Sequence, residues 1–213
     1  MKNLEDKLIE TYRELRIPEE PQMVINTLLR IIKSTLCLDA NSDEDSSSYR
    51  HCIRVGILGK KIAQHMHLDA KAMFYAGVLH DVGKAGREDT ACVKTIKGPD
   101  GKSSVDVKVH AIISYNMIKD LSKFSAKVAL WHHYFSEHGY PRELTKPNTQ
   151  YARETIPMIS FYARLLSLAD SYDMIAESKP KGSKRIILGK NKDQRCLIEE
   201  LYKAGIFRQQ AAQ

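Results

Sequence analysis

No stretch of this chain approaches the ~18 consecutive apolar residues that a bilayer-spanning helix requires, so a membrane-embedded architecture is not expected. The opening, MKNLEDKLIE, carries acids where a secretion signal has its apolar core, so export through such a signal is not expected either. Cysteine is sparse. Cys37, Cys52, Cys92 and Cys196 are widely separated and form no CxxC pair, which speaks against a disulfide framework and for reduced thiols in a cytoplasm. There is no internal repeat, no series of alternating strands and no recognisable nucleic-acid recognition module, so nucleic acid is not the expected partner. What is present is ordinary for a globular chain: 213 residues, 43% hydrophobic and 28% charged, enough for one domain with extensions.

The formal charge of +7 is unevenly placed. Residues 178–213 hold a net of +6 and the first 177 residues a net of only +1. The core of that basic tail, SKPKGSKRIILGKNKDQR, could bind a phosphorylated small molecule or a nucleic-acid backbone, or it could be a solvated connection.

Apolar residues recur at helical spacing along most of the chain. Leu4, Leu8, Tyr12 and Leu15 mark one helix, and Ile25, Leu28, Leu29, Ile32 and Leu36 a second beyond the Pro18–Pro21 break. Residues 39–48, DANSDEDSSS, read as a linker or surface loop. Further helices are expected over 49–66, 70–81, 107–121, 125–135 and 157–177, with a last one capped by Asp193 and running through Lys203. Residues 85–105 read as a long loop and 136–156 as irregular. The expected fold class is all-α. An N-terminal helical extension (1–38) precedes a helical core (45–177) and a basic tail (178–213). The extension either covers the bundle or offers the surface of a homodimer.

Several of these apolar stripes carry groups that do not belong in a core. An ionised carboxylate taken out of water must be paired, hydrogen-bonded or metal-bound. A single histidine on an apolar face is usually a satisfied core residue, but here the cases accumulate. His51 begins one helix, His80 and Asp81 end another, and His110 lies near the start of a third. His132 and His133 interrupt the apolar text ALWHHYF, and Asp170 lies on the inner stripe of the last core helix. Helix bundles assemble metal sites in this way. A mixed nitrogen and oxygen set suits Mn, Fe, Zn, Ni or Co better than Mg or Ca, and seven ligands suit two ions better than one. Two such ions can clamp a phosphoryl group and activate water. Lys84 falls four residues after His80, where it either reaches the same cavity or simply complements the helix C-terminus.

The order His51, then HDVGK (80–84), His110, His132-His133, GYP (139–141) and Asp170 resembles the HD superfamily of metal-dependent phosphohydrolases, nearest its HD-GYP branch. The segments RHCIRV (50–55) and LLSLADSYDMI (165–175) are similar to that branch's first and last ligand helices. The resemblance implies an HD-domain helical bundle. It implies two divalent transition-metal ions, Fe or Mn foremost, with Zn, Ni or Co as other candidates. His51, His80, Asp81 and Asp170 would hold one ion, and Asp81 would bridge to a second held by His110, His132 and His133. A bridging hydroxide would attack a phosphodiester, with Asp81 and Lys84 at the reaction centre and Lys84 on a phosphate oxygen. The implied substrate is a phosphorylated nucleotide, most nearly a cyclic or linear dinucleotide such as cyclic di-GMP. Other readings are a nucleotide or dNTP phosphohydrolase of the wider superfamily and an HD module that binds a nucleotide or protein without turnover.

The text departs from the branch at several places. Tyr134 stands where many members carry a Glu, and the spacer to GYP is one residue shorter. Ser47 occupies the position of a third-metal Glu, so two ions are expected rather than three. Where members carry an Arg-containing nucleotide contact, this chain offers Lys179, Lys181, Lys184 and Arg185, point charges for the most part rather than guanidinium forks. Asp173, one turn after Asp170, could orient a ligand histidine through its second nitrogen or serve as an ordinary inter-helix hydrogen-bond acceptor. Trp131 and Tyr134 are expected to pack in the core, Tyr140 to pack over its turn, and His65, His67 and His138 to lie at the surface.

Overall fold

The computed structural model describes residues 3–35, 46–86, 95–97, 103–105, 109–135, 140, 155–177, 192–203 and 205–206. Among them are eight α-helices: α1 (Leu4–Glu14), α2 (Glu19–Thr35), α3 (Ser46–His65), α4 (Ala70–Leu79), α5 (His110–Ile118), α6 (Lys123–Trp131), α7 (Thr155–Glu177) and α8 (Lys192–Lys203). A 3₁₀ turn, Val82–Gly86, follows α4. The fold is all-α apart from one short antiparallel hairpin, β1 (Thr95–Lys97) with β2 (Ser103–Val105), inside the segment expected to be loop. Three-residue strands are too short to show a period of two in the text, which is why this pair was invisible there.

Local chemistry sets the helix starts. Asn3 and Asp6 form a reciprocal capping box at α1, with the Asp6 N–H donating to Asn3 Oδ1 at 2.7 Å. Asp69 caps α4 by accepting from the N–H groups of Lys71 and Ala72, and Ser122 caps α6 by accepting from Ser125 N–H. The Asp69 N–H donates in turn to the Tyr162 hydroxyl at 2.6 Å, which ties the start of α4 to α7.

Helix α4 is the axis of the bundle. All of Met73 through Leu79 is buried, including Phe74, Tyr75, Val78 and Leu79, which lie off the stripe of Met73, Ala76, Gly77 and His80 that helical spacing predicts. A helix that is apolar all round is one enclosed by others. On one side it packs with α1, α2 and the start of α3 through Tyr12, Ile25, Leu29, Ile32 and Ile53. On the other it packs with α3, α6 and α7 through Val55, Ile62, Trp131, Ile159 and Leu166. Trp131 is a core residue, as expected. Helix α8 closes the second layer with a fully buried Leu201, worth roughly 1.5–3 kcal/mol by burial.

Two glycines set the spacing of α3 and α4. A Cβ on Gly77 would stand 2.9 Å from the Gly56 Cα and 3.0 Å from the Val55 carbonyl oxygen, and a Cβ on Gly56 would meet the Val78 Cβ at 2.8 Å. The backbones therefore touch, and the ends of the two helices that carry His51 and His80 are drawn together. At Gly77 the obstacle is backbone, which cannot rotate away, so Gly77→Ala is expected to cost about 1–3 kcal/mol of stability. Urea unfolding of the purified variant measures this, and an unchanged midpoint would mean that the two helices do not touch there.

Candidate metal centre

Five elements deliver seven polar side chains to one buried place. His51 comes from the second turn of α3, and His80 and Asp81 from the end of α4. His110 is the first residue of α5, and Asp170 lies on α7. His132 and His133 do not sit in a helix as expected: α6 ends at Trp131, and both follow in the turn beyond it. The last turn tightens there, with the Tyr134 N–H donating to the Trp131 carbonyl, and both histidines join one group with Asp81 and His110. His51, His80, Asp81, His110 and His132 are all buried.

The ligand-type atoms fall into three overlapping groups, each with all its members within 4.8 Å of one another: Asp81, His110, His132 and His133; His51, His80 and Asp81; and His80, His132 and Asp170. Asp81 is split between two sides. Its Oδ1 lies 3.1 Å from His110 Nε2, while its Oδ2 lies 3.4 Å from His80 Nε2 and 3.8 Å from His51 Nε2. Asp170 Oδ1 approaches His51 Nε2 at 3.1 Å and His80 Nε2 at 3.7 Å.

The outer ring nitrogens decide which atoms face inward. His80 Nδ1–H donates to the Gly77 carbonyl at 2.8 Å, and His132 Nδ1–H donates to the Ala129 carbonyl. A carbonyl only accepts, so Nδ1 carries the proton and Nε2 is left to the interior. His51 Nδ1 is 2.8 Å from Asp173 Oδ2, and His110 Nδ1 is 3.5 Å from the Tyr140 hydroxyl. The inward atoms His51 Nε2, His80 Nε2, His132 Nε2 and Asp81 Oδ1 are buried and make no hydrogen bond of acceptable geometry. Buried polar atoms without such partners are costly. Four of them, drawn from imidazole and carboxylate and shared among these overlapping groups, fit divalent transition metals.

Charge in the cluster is sharply divided. Burial alone would raise Asp81 and Asp170, but the surrounding cations hold both well below the usual carboxylate range: His80 and Lys84 for Asp81, His51 and His80 for Asp170. Burial alone would lower His80, yet Asp81 and Asp170 hold it up at about 10, and His51 is raised by Asp170 and Asp173 against the same burial. Burial depresses His132 strongly and brings His133 to about 4, with neighbouring imidazoles adding to both shifts. His132 and His133 are thus neutral near pH 7, and His80 is protonated.

Lys84 forms a close ion pair with Asp81 from the turn just past α4. The turn reaches the site because Gly83 has no side chain: a Cβ there would lie 2.1 Å from the His110 carbonyl oxygen, and its N–H donates to buried Ser114 Oγ at 2.8 Å. Arg54 also belongs to this neighbourhood, gripping Asp173 with two hydrogen bonds of 2.7 and 2.9 Å. Sequence reading assigned no role to Arg54, Ser114 or Gly83, and treated Tyr140 as packing alone. Arg54 lies one turn after His51, and that i, i+3 spacing was the available signal. Lys179, Lys181, Arg185 and the flanks of Tyr140, including His138, lie outside the described residues. His65, expected at the surface, pairs with Glu200 at 3.3 Å across α3 and α8.

Comparison with known proteins agrees with the layout. The family model described as HD domain matches residues 48–175. A cyclic di-GMP phosphodiesterase of Thermotoga maritima is 30% identical over 145 residues, 64% of this chain and 36% of that protein. A probable nicotinate-nucleotide adenylyltransferase/Ap4A hydrolase of Mycoplasma genitalium is 37% identical over 78 residues, 37% of this chain and 21% of that protein. The match therefore spans little more than a third of the length of the first relative and about a fifth of the second. No solved structure matches it. Among the described residues, no helix is long and apolar enough to cross a membrane.

The protonation pattern has a measurable consequence. A metal ion held by His80 would need its Nε2 lone pair, which a proton occupies near pH 7. Metal uptake is therefore expected to release at least one proton per chain, and apparent affinity to rise with pH until His80 deprotonates at about 10. Calorimetric titration in buffers of different ionisation enthalpy counts the protons, and a count of zero at pH 7 would contradict the assigned charges.

Proposed function

This chain belongs to the HD domain family, and from that premise we propose that it is a metal-dependent phosphohydrolase, specifically a phosphodiesterase acting in the cytoplasm on a cyclic or linear dinucleotide of the cyclic di-GMP kind. The observation that carries the reading is the division of Asp81, with one oxygen facing His110 and the other facing His51 and His80. A buried carboxylate shared between two imidazole groups could bridge two ions. In this reading His51, His80, Asp81 and Asp170 hold one ion and Asp81, His110, His132 and His133 the other. Two divalent ions, when bound, would neutralise phosphate charge and lower the pKa of coordinated water toward ~7.

The chain's own residues do the remainder. The backbone carbonyls of Gly77 and Ala129 keep the protons of His80 and His132 on their outer nitrogens. Asp173 accepts from His51 Nδ1 and orients that ring. Lys84, paired with Asp81 here, is placed to turn to a substrate phosphate oxygen once Asp81 is engaged elsewhere. The catalytic unit is residues 45–177, and Lys179, Lys181 and Arg185 of the tail are proposed to meet the nucleotide phosphates.

The names of the two relatives support phosphate bonds joining nucleosides as the substrate class, and the second favours a rival: hydrolysis of a linear nucleoside polyphosphate. Tyr134 in place of a Glu keeps that rival in view. A turnover panel on Mn(II)- or Fe(II)-loaded protein, with cyclic di-GMP, its linear product, Ap4A and dNTPs, separates the two. Cyclic or linear dinucleotide cleavage is expected, and Asp81→Asn is expected to remove all detectable turnover. Activity on Ap4A or dNTPs alone would favour the rival, and full activity in Asp81→Asn would remove Asp81 from the reaction centre.

A further inference from the structure

The contact between α3 and α7 is built as two rungs. His51 and Arg54 lie one turn apart on α3, and Asp170 and Asp173 lie one turn apart on α7. The inner rung joins His51 Nε2 to Asp170 Oδ1 at 3.1 Å. The outer rung centres on Asp173, whose Oδ1 accepts from Arg54 Nε–H at 2.7 Å and whose Oδ2 accepts from Arg54 Nη2–H at 2.9 Å and from His51 Nδ1–H at 2.8 Å. Both carboxylate oxygens are thus taken by one planar fork, which fixes the plane of the group and not only its position. The Asp173 side chain is 8% exposed and that of Arg54 25%, so water competes weakly for these bonds.

A carboxylate held ionised can only accept. Its partner on His51 must be a proton on Nδ1, so the ring is committed to presenting Nε2 to the interior, on the side of Asp81 Oδ2 and Asp170 Oδ1. If the fork were lost, nothing else named at Asp173 would hold the carboxylate plane, and the ring could turn about its side-chain bonds. The three histidines of the opposite group are outside this linkage. Among them, His132 is locked by the Ala129 carbonyl and His110 approaches Tyr140.

We propose that Arg54 is a positioning residue for one ion of the pair: acting through Asp173, it holds His51 in its ligating orientation and so sets the affinity of the ion on the His51 side without setting that of the other. The proposal rests on the metal-centre reading above, and its test is chosen to separate the two. The full chain, Arg54→Met and Arg54→Lys are each titrated with Mn(II), with free ion followed by electron paramagnetic resonance. Met keeps the apolar stem and removes the fork, whereas Lys keeps one charged donor. The wild type is expected to bind two ions. In Arg54→Met one of them should weaken by about 10–100-fold while the other is unchanged, the usual scale for loss of an outer hydrogen bond to a ligand histidine. Arg54→Lys should fall between, and it carries the test if Arg54→Met does not fold. In nitrogen-15 histidine spectra of the Zn(II)-loaded chain, the Nδ1 proton of His51 should be retained in the wild type and exchange rapidly in Arg54→Met. Two unchanged affinities in both variants would overturn the proposal. Equal weakening of both ions would do so too, since Arg54 would then support the bundle in general. A wild type that binds no Mn(II) would instead overturn the metal-centre reading itself.

Discussion

Holding two carboxylates and five imidazoles together in the largely buried middle of a helical bundle is the constraint that the rest of this structure answers. Each ionised group taken from water costs several kcal/mol unless partners replace the lost solvent. The fold meets that cost by arranging the groups as partners of one another. Asp81 and Asp170 stay ionised because His80, His51 and Lys84 surround them, and His80 stays charged because they do. Such an arrangement tolerates little slack. The glycine contact of α3 with α4 and the close seating of Gly83 under α5 are best read as what brings the helix ends within reach.

The same geometry explains why the cluster suits metal better than mutual pairing. As a set of ion pairs it is poorly satisfied, with inward atoms of His51, His80 and His132 lacking hydrogen bonds while their outer nitrogens are well bonded to carbonyls or to Asp173. The outer bonds fix direction and the inner atoms are left for a ligand. Lys84 fits the scheme as a counter-charge for Asp81 that a divalent ion would replace. It thereby joins the positive charge near the centre to a group a phosphate could engage.

Much of this was legible in the text, for a physical reason. Helical periodicity records burial, and a polar residue on a buried stripe announces an unusual partner, so His51, His80, Asp81, His110 and Asp170 could be picked out one by one. The helix extents were legible to within a few residues from apolar periodicity, while the caps Asn3, Asp69 and Ser122 that set three of the starts went unread. What escaped was whatever depends on the third dimension. His132 and His133 read as helical because ALWHHYF has no breaker, yet the chain turns after Trp131 to aim both rings inward. Arg54 carried no assigned role because a long, part-buried cationic side chain leaves no mark in hydropathy. Helix α8 was expected, but it begins at Lys192, which puts the expected cap Asp193 inside it, and Leu201 at the heart of the second layer, within a tail notable for positive charge, was not foreseen. The full enclosure of α4 was likewise hidden behind a single expected stripe.

The central claim is that Asp81 stands between two metal ions. Anomalous diffraction from crystals of the Mn(II)-loaded chain, recorded on either side of the manganese absorption edge, tests it without reference to any substrate. The account predicts two peaks in the buried centre, one beside each oxygen of Asp81, the first toward His51 and His80 and the second toward His110 and His133. A single peak, or peaks remote from Asp81, would contradict it.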